Sequence, residues 1–193
     1  MFPFIINGQN KLNKKFNLKS RSIVELKLPF ASSVNISNSD SNFIEYNYTT
    51  RGEYKNSTFI SSNVNKDMVY IEEKLISNSI KFNDKLSIHK NYSTSLNILV
   101  PEHIILELYL KDAITEIKGD VSRINIYQNS GEIYLENWNS PGILKTISTN
   151  IFFSNPKIKI LSNSKKQLNC NNSESNNIFD ITTVSGIIKC ITF

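Results

Sequence analysis

Alanine is nearly absent from this chain, with two among 193 residues, Ala31 and Ala113. Helical domains lean on Ala and Leu, so this scarcity argues against an all-α fold. Cysteine is also sparse. Cys170 and Cys190 are too few for a disulfide scaffold, and no CxxC pair exists. With only two histidines, His89 and His103, both far from the cysteines, the ligand set for a zinc site is missing. The same shortage argues against a His-based catalytic triad. No phosphate-cradling GxxxxGK[ST], no GxGxxG and no GxSxG occurs. No apolar run approaches the ~18 residues of a membrane-spanning helix. The expectation is therefore no cofactor, no metal, no transmembrane segment and no catalytic residues.

What the chain does have is 28 Ile and 27 Asn. Ile favours strands, while Asn and Ser favour turns, so the composition points to an all-β protein with many short connections. A hydrophobic content of 39% with nearly balanced charge is incompatible with wholesale disorder. The net charge is +5. Lys11, Lys14, Lys15, Lys19 and Arg21 all precede the first acid, Glu25, and account for the whole excess. The rest of the chain is electrically neutral, so a nucleic-acid partner is not expected. Residues 1–17 read as a basic N-terminal tail, and 18–193 as one domain. The apolar start, Met1 to Ile6, precedes the positive charge rather than following it, which is the wrong order for a secretory signal.

From Ser22 onward, short alternating runs follow one another. The clearest is Ile104–Lys111, with Ile104, Leu106, Leu108 and Leu110 on one face at period two. Arg123–Tyr127 and Glu132–Glu136 follow, separated by Asn129-Ser130-Gly131. Residues 77–93 are rich in Asn, Ser and Lys and read as a long loop. Turns recurring every ~9–12 residues suggest a sandwich, a barrel or a β-solenoid. Ile124 and Ile133 are nine apart, as are Ile126 and Leu135. That spacing favours the solenoid, a stack of two-strand coils of roughly twenty residues, with a β-sandwich as the alternative.

The run from Gly119-Asp120 through Ser130-Gly131-Glu132-Ile133, and its return as Val184-Ser185-Gly186-Ile187, resembles the bacterial putative-adhesin domain family. Leu99-Val100-Pro101 before a long apolar strand fits that habit, as does Asn83–Lys90. The resemblance covers roughly residues 18–193, and the stretch 150–178 departs from it by lacking the glycine phrase. It implies a β-helix-like fold, export to the cell surface, periplasm or medium, and no catalytic residues.

Three features could carry chemistry. If Ile124, Ile126, Ile133 and Leu135 point inward, then Tyr127, Glu132, Tyr134, Glu136 and Trp138 share the outward parity. Stacked coils would bring Tyr127, Tyr134 and Trp138 together as a ligand face for a glycan or cell-envelope polymer. The competing reading is a cross-strand aromatic ladder that only supports the sheet. Glu132 and Glu136 lie about 13 Å apart along a strand, wide for a glycosidase pair, and read as a solvated face. Cys170 and Cys190, one coil apart, could form a disulfide, with two unpaired thiols as the alternative. The expectation is a non-catalytic adhesin-like binding or envelope protein. A polysaccharide lyase or hydrolase on the same scaffold and an intracellular scaffold are the rivals.

Overall fold

Period-two alternation dictates the secondary structure here, because nearly every second residue of each run is apolar and needs cover. A computed structural model describes residues 9–18, 22–52, 55–76, 92–164, 166–170 and 175–191. Among these residues there are fifteen strands and no helix. They are β1 (Gln9–Asn17), β2 (Ile23–Leu28), β3 (Ser33–Asn38), β4 (Phe43–Gly52), β5 (Thr58–Asn65), β6 (Met68–Leu75), β7 (Tyr92–Val100) and β8 (Ile105–Lys118). There follow β9 (Arg123–Glu136), β10 (Gly142–Thr146), β11 (Asn150–Ser154), β12 (Lys159–Ser162), β13 (Gln167–Leu168), β14 (Ile178–Thr183) and β15 (Ile188–Ile191). The fold is all-β, as the composition predicts. Of the loop expected over 77–93, residues 77–91 lie outside the described residues, as does the Asn83–Lys90 segment, while Tyr92 and Ser93 open β7.

The strands form one mixed sheet with two branches. The first runs β5–β6–β2–β8–β9–β10–β14–β12, and the second β1–β4–β7–β3–β8–β9–β11–β15–β13. Strands β8 and β9 belong to both. Ile105–Leu110 pairs with β2, whereas Ile114–Lys118 pairs with β3. Ile124–Gln128 pairs with β10, and Glu132–Glu136 with β11. The alternation breaks between the halves: Leu106, Leu108 and Leu110 are buried, then Ala113, Thr115 and Ile117. That change of parity turns the chain so that the inward rows of both branches fill one core.

The turn from one branch to the other is built around glycine and hydroxyl side chains. Gly131 lies beside Ala113, at φ 99°. Buried Gln128 closes the polar groups of this corner. Its Nε2 donates to Ala113 O and Ser130 O at 2.8 Å each, and its Oε1 accepts from Thr115 Oγ1 at 2.9 Å. Thr149 Oγ1 donates to Gln128 O at 3.2 Å, and Gly186 N donates to Thr183 Oγ1 at 2.9 Å. Buried backbone groups left without such partners would each cost ~1–3 kcal/mol. The Ser130-Gly131 and Ser185-Gly186 phrases thus sit at turns between the two branches. Gly119-Asp120 serves a different turn, where Asp120 Oδ1 accepts from Asn139 N at 2.9 Å and Ser140 Oγ at 3.1 Å.

One expectation is corrected. Residues 9–17 are not a tail, because β1 pairs antiparallel with β4 along its whole length. Phe16 packs on the core and stacks on Tyr46, which anchors the strand. Its lysines stay outside, where charge on an edge strand discourages pairing with another chain. The C-terminal strands do not form the edge of the sheet. Strand β14 lies between β10 and β12, and β15 between β11 and β13. The chain builds β12 and β13 first, as the outer edge, then returns to fill the gap.

Cys170, just after β13, is bridged to Cys190 in β15, with a Cα–Cα distance of 4.9 Å. The bridge ties the two-residue edge strand β13 to its neighbour. It closes a loop of about twenty residues, worth roughly 3 kcal/mol by the chain-entropy argument. Reduction is therefore expected to lower stability by that amount and to raise amide exchange first in β12 and β13. Exchange followed by mass spectrometry, with and without reductant, checks this. Equal exchange in both states would show the edge held by other contacts.

Candidate binding furrow

Each strand exposes every second residue, and the register aligns these into rows running across the strands. On the second branch, one row carries Asn13, Asn47, Asn97 and Asn35 on β1, β4, β7 and β3. It continues as Glu116, Tyr134, Phe152 and Lys189 on β8, β9, β11 and β15. The next row carries Lys15, Glu45, Leu99 and Ser37, then Lys118, Glu136, Ser154 and Ile191. Two grooves lie between these rows. One, of about 270 Å³, is bounded by the asparagines with Ser37, Glu45 and Leu99. The other, of about 320 Å³, is bounded by Glu116, Tyr134 and Phe152 with Lys118, Glu136 and Ser154. The register sets these two separate grooves in line between the same two rows, and the furrow so outlined crosses eight strands, about 34 Å at normal strand spacing.

The asparagine segment is a side-chain ladder. Asn47 Nδ2 donates to Asn13 Oδ1 at 2.6 Å, and Asn35 Nδ2 donates to Asn97 Oδ1 at 2.8 Å. Thr49 Oγ1 donates to Asn47 Oδ1 at 3.1 Å. In the aromatic segment, Tyr134 stacks on Phe152 with centroids 4.8 Å apart and planes 15° from parallel. That separation equals the strand spacing, so the rings stand on edge, each covering one face of the other. Tyr134 Oη donates to Glu132 Oε2 at 2.6 Å, and this bond to a carboxylate holds the phenol above its usual pKa. Lys118 Nζ pairs with Glu136 Oε2 at 3.5 Å.

The structure separates the aromatics that the sequence grouped. Glu132, Tyr134 and Glu136 face outward beside the furrow, as parity predicts. Tyr127 also faces outward, but on the first branch, where it stacks on Tyr109 at 4.9 Å. The corner at Gln128–Gly131 lies between Tyr127 and Tyr134, and it redirects the strand. Lys27 and Lys145 lie over the Tyr109 and Tyr127 rings. Trp138 is fully buried rather than exposed. Parity fails there because β9 ends at Glu136 and Asn137 takes φ 50°, which swings the indole inward against Phe179. The three aromatics therefore do not meet.

Sequence reasoning missed the asparagine row. Its signal was present, as an Asn between two apolar residues in Val34-Asn35-Ile36, Tyr46-Asn47-Tyr48 and Leu96-Asn97-Ile98. The pairing of distant strands was needed to align them.

It also missed Glu73, which occupies an inward position on β6 and is 3% exposed. Its Oε1 accepts from Tyr48 Oη at 2.6 Å and its Oε2 from Phe30 N at 2.7 Å. Thr58 Oγ1 bonds both Tyr48 Oη, at 3.0 Å, and Tyr92 Oη. Burial raises the Glu73 carboxyl above the usual range, more than these donors lower it. Burial likewise raises the Tyr48 phenol and pushes Tyr92 up to about 12. An acid whose pKa is higher folded than unfolded stabilises the fold below its unfolded pKa, and that contribution is lost as pH rises through the folded pKa. Stability is expected to fall as pH rises from the ordinary carboxylate range through the raised Glu73 pKa, and Glu73→Gln to remove that contribution. Urea unfolding across this range checks both. An unchanged slope in Glu73→Gln would assign the dependence elsewhere.

Comparison with known proteins gives the fold a precedent. A solved structure described as a putative cell adhesion protein, from Clostridium sporogenes, superposes with a TM-score of 0.67. The two chains share a fold. The match covers 96% of this chain and 100% of that one, at 15% identity. A putative adhesin from Bacteroides fragilis aligns over 95% of this chain and 97% of its own, at 6% identity and a TM-score of 0.37. No family model matches the sequence, and no curated protein matches it. Among the described residues no helix is long and apolar enough to cross a membrane, and no group of three or more His, Cys, Asp or Glu is placed to hold a metal ion.

Proposed function

We propose that this chain is a non-catalytic, adhesin-like binding protein that holds an extended polymer in the furrow. The observation that carries the reading is the alignment of both grooves between the same two rows. A track crossing eight strands suits a long repeating ligand better than a small molecule, which takes an enclosed pocket. Two of the carboxylates beside the track are engaged, Glu132 by Tyr134 and Glu136 by Lys118. The parallel pairing repeats at an offset of eighteen residues, Ile105 beside Arg123 and Ile124 beside Gly142. That repeat supports reading the two branches as the faces of a β-solenoid, a rigid support for such a track. The Cys170–Cys190 bridge supports an exported location, since disulfides persist in oxidising compartments. The name of the Clostridium structure agrees with a role at the cell surface.

Retention on purified bacterial cell-envelope polysaccharide tests the reading, with polymer length measured before and after. Wild-type protein should be retained, and the polymer should keep its length. Tyr134→Ser combined with Phe152→Ser should weaken retention several-fold while leaving the core untouched. Shortening of the polymer by wild-type protein would overturn the non-catalytic reading. Retention unaffected by the double substitution, or no retention at all, would overturn the furrow.

A further inference from the structure

We infer that the ligand of the furrow is an uncharged glycan chain, laid across the strands with its hydroxyl and acetamido groups on the asparagine row. The inference rests on the furrow being the binding site and specifies what it binds.

Charge is the first argument. The two rows that bound the furrow carry three lysines, Lys15, Lys118 and Lys189, and three glutamates, Glu45, Glu116 and Glu136. They cancel. Lys118 and Glu136 are paired with each other, and Lys15 lies over the Phe43 ring. On β7 and β3 the same rows hold only Asn97, Leu99, Asn35 and Ser37. A polyanion would find no surplus of lysine to displace its counterions, and a polycation no surplus of carboxylate.

Hydrogen-bonding capacity is the second. A carboxamide has two N–H donors and an acceptor oxygen. The pairs Asn47–Asn13 and Asn35–Asn97 use one donor and one acceptor each. Among the described residues the Asn13 and Asn97 amino groups and the Asn35 carbonyl have no other side-chain or backbone partner. The row thus offers donors at Asn13 and Asn97 and an acceptor at Asn35, which suits groups that both give and accept, such as sugar hydroxyls and acetamides. The ladder bonds also fix the amides, so a ligand need not order them.

Repetition is the third. Asparagines recur at each of four neighbouring strands, ~4.7–4.9 Å apart. A single sugar would reach two of them, whereas a chain uses all four. Beyond Asn35 and Glu116 the track meets the exposed edge of Tyr134 and Phe152, which offers apolar contact to a ring.

Calorimetry with three soluble oligomers tests the inference: a chain of N-acetylglucosamine, its de-N-acetylated cationic counterpart, and an anionic oligogalacturonate. The neutral chain should bind most tightly, with affinity changing less than about twofold between ~50 mM and ~500 mM salt. Asn47→Ser with Asn97→Ser should weaken it about tenfold, at unchanged melting temperature. Asn97→Asp, which keeps the shape and adds charge, should also weaken the neutral chain and favour the cationic one. Tighter binding of either charged oligomer by the wild-type protein would overturn the inference. So would neutral binding that survives both asparagine variants. If the protein is retained on envelope polysaccharide through Tyr134 and Phe152 but holds no neutral oligomer, this inference fails and the furrow stands. If retention fails as well, both fail.

Discussion

Replacing Trp138 by alanine should cost about 3–5 kcal/mol of stability, among the largest effects of any single side-chain truncation in this protein. The indole is completely buried. It meets Phe179 edge-on, with centroids 6.2 Å apart, and Phe179 meets Phe153 in the same manner at 5.9 Å. These three rings join β14 and β11 to the loop after β9, so truncation opens a cavity where those elements meet. The backbone carbonyl of Trp138 also accepts from Lys157 N at 2.8 Å, which fixes the loop leading to β12. Trp138→Phe should cost less than Trp138→Ala, because it leaves the smaller cavity. Urea unfolding followed by circular dichroism separates the outcomes. An exposed ligand-facing tryptophan would cost only ~0.5 kcal/mol when truncated, and a loss that small would return Trp138 to the surface. The same burial predicts that ligand in the furrow leaves its fluorescence nearly unchanged.

Gly131→Ala should destabilise the protein by more than ~3 kcal/mol through two separate costs. At φ 99° an L-residue is strained, typically by ~1–2 kcal/mol. The added methyl would also lie 2.1 Å from the backbone oxygen of Ala113, on a neighbouring strand held by its own ladder bonds. A side chain can step aside, but that backbone cannot move without disturbing Gln128, which is bonded to the same oxygen. Gly119 provides the contrast. It has a similar φ of 93°, but the nearest obstacle is the Asn38 side chain. Gly119→Ala should therefore cost clearly less than Gly131→Ala. Equal losses in thermal unfolding would mean that the backbone angle alone matters and that close approach at the corner does not.

The contrast between Gly131 and Trp138 also explains what was legible in the sequence. Local alternation is a property of neighbouring residues, so the strands and their buried faces, Leu106 to Leu110 or Ile124 and Ile126, could be read directly. The outward parity of Glu132, Tyr134 and Glu136 followed from the same rule. Trp138 did not, because the rule ends with the strand and a single left-handed residue, Asn137, reverses the side chain's direction. The sequence places Tyr127 and Tyr134 on one face because Asn129-Ser130-Gly131 reads as a turn between strands, whereas it is a bend within β9. The asparagine row depended on pairing between segments as distant as Asn13 and Asn97, and no local pattern fixes that register. Glu73 was hidden for a related reason. An acidic residue at an inward position gives no sign of its partners until Tyr48 and the Phe30 amide are brought to it by the fold.

The side-chain amides of the furrow's asparagines report directly on its occupancy. Nitrogen-resolved NMR spectra of the protein, recorded with and without a bound neutral N-acetylglucosamine oligomer, would show each asparagine amide as a separate signal. The Asn35, Asn47 and Asn97 side-chain signals should shift together with the Tyr134 backbone. The Tyr109 and Tyr127 signals on the other branch, and the Trp138 indole in the core, should stay in place. Shifts centred on Tyr109 and Tyr127, with the asparagine amides unmoved, would contradict binding in the furrow.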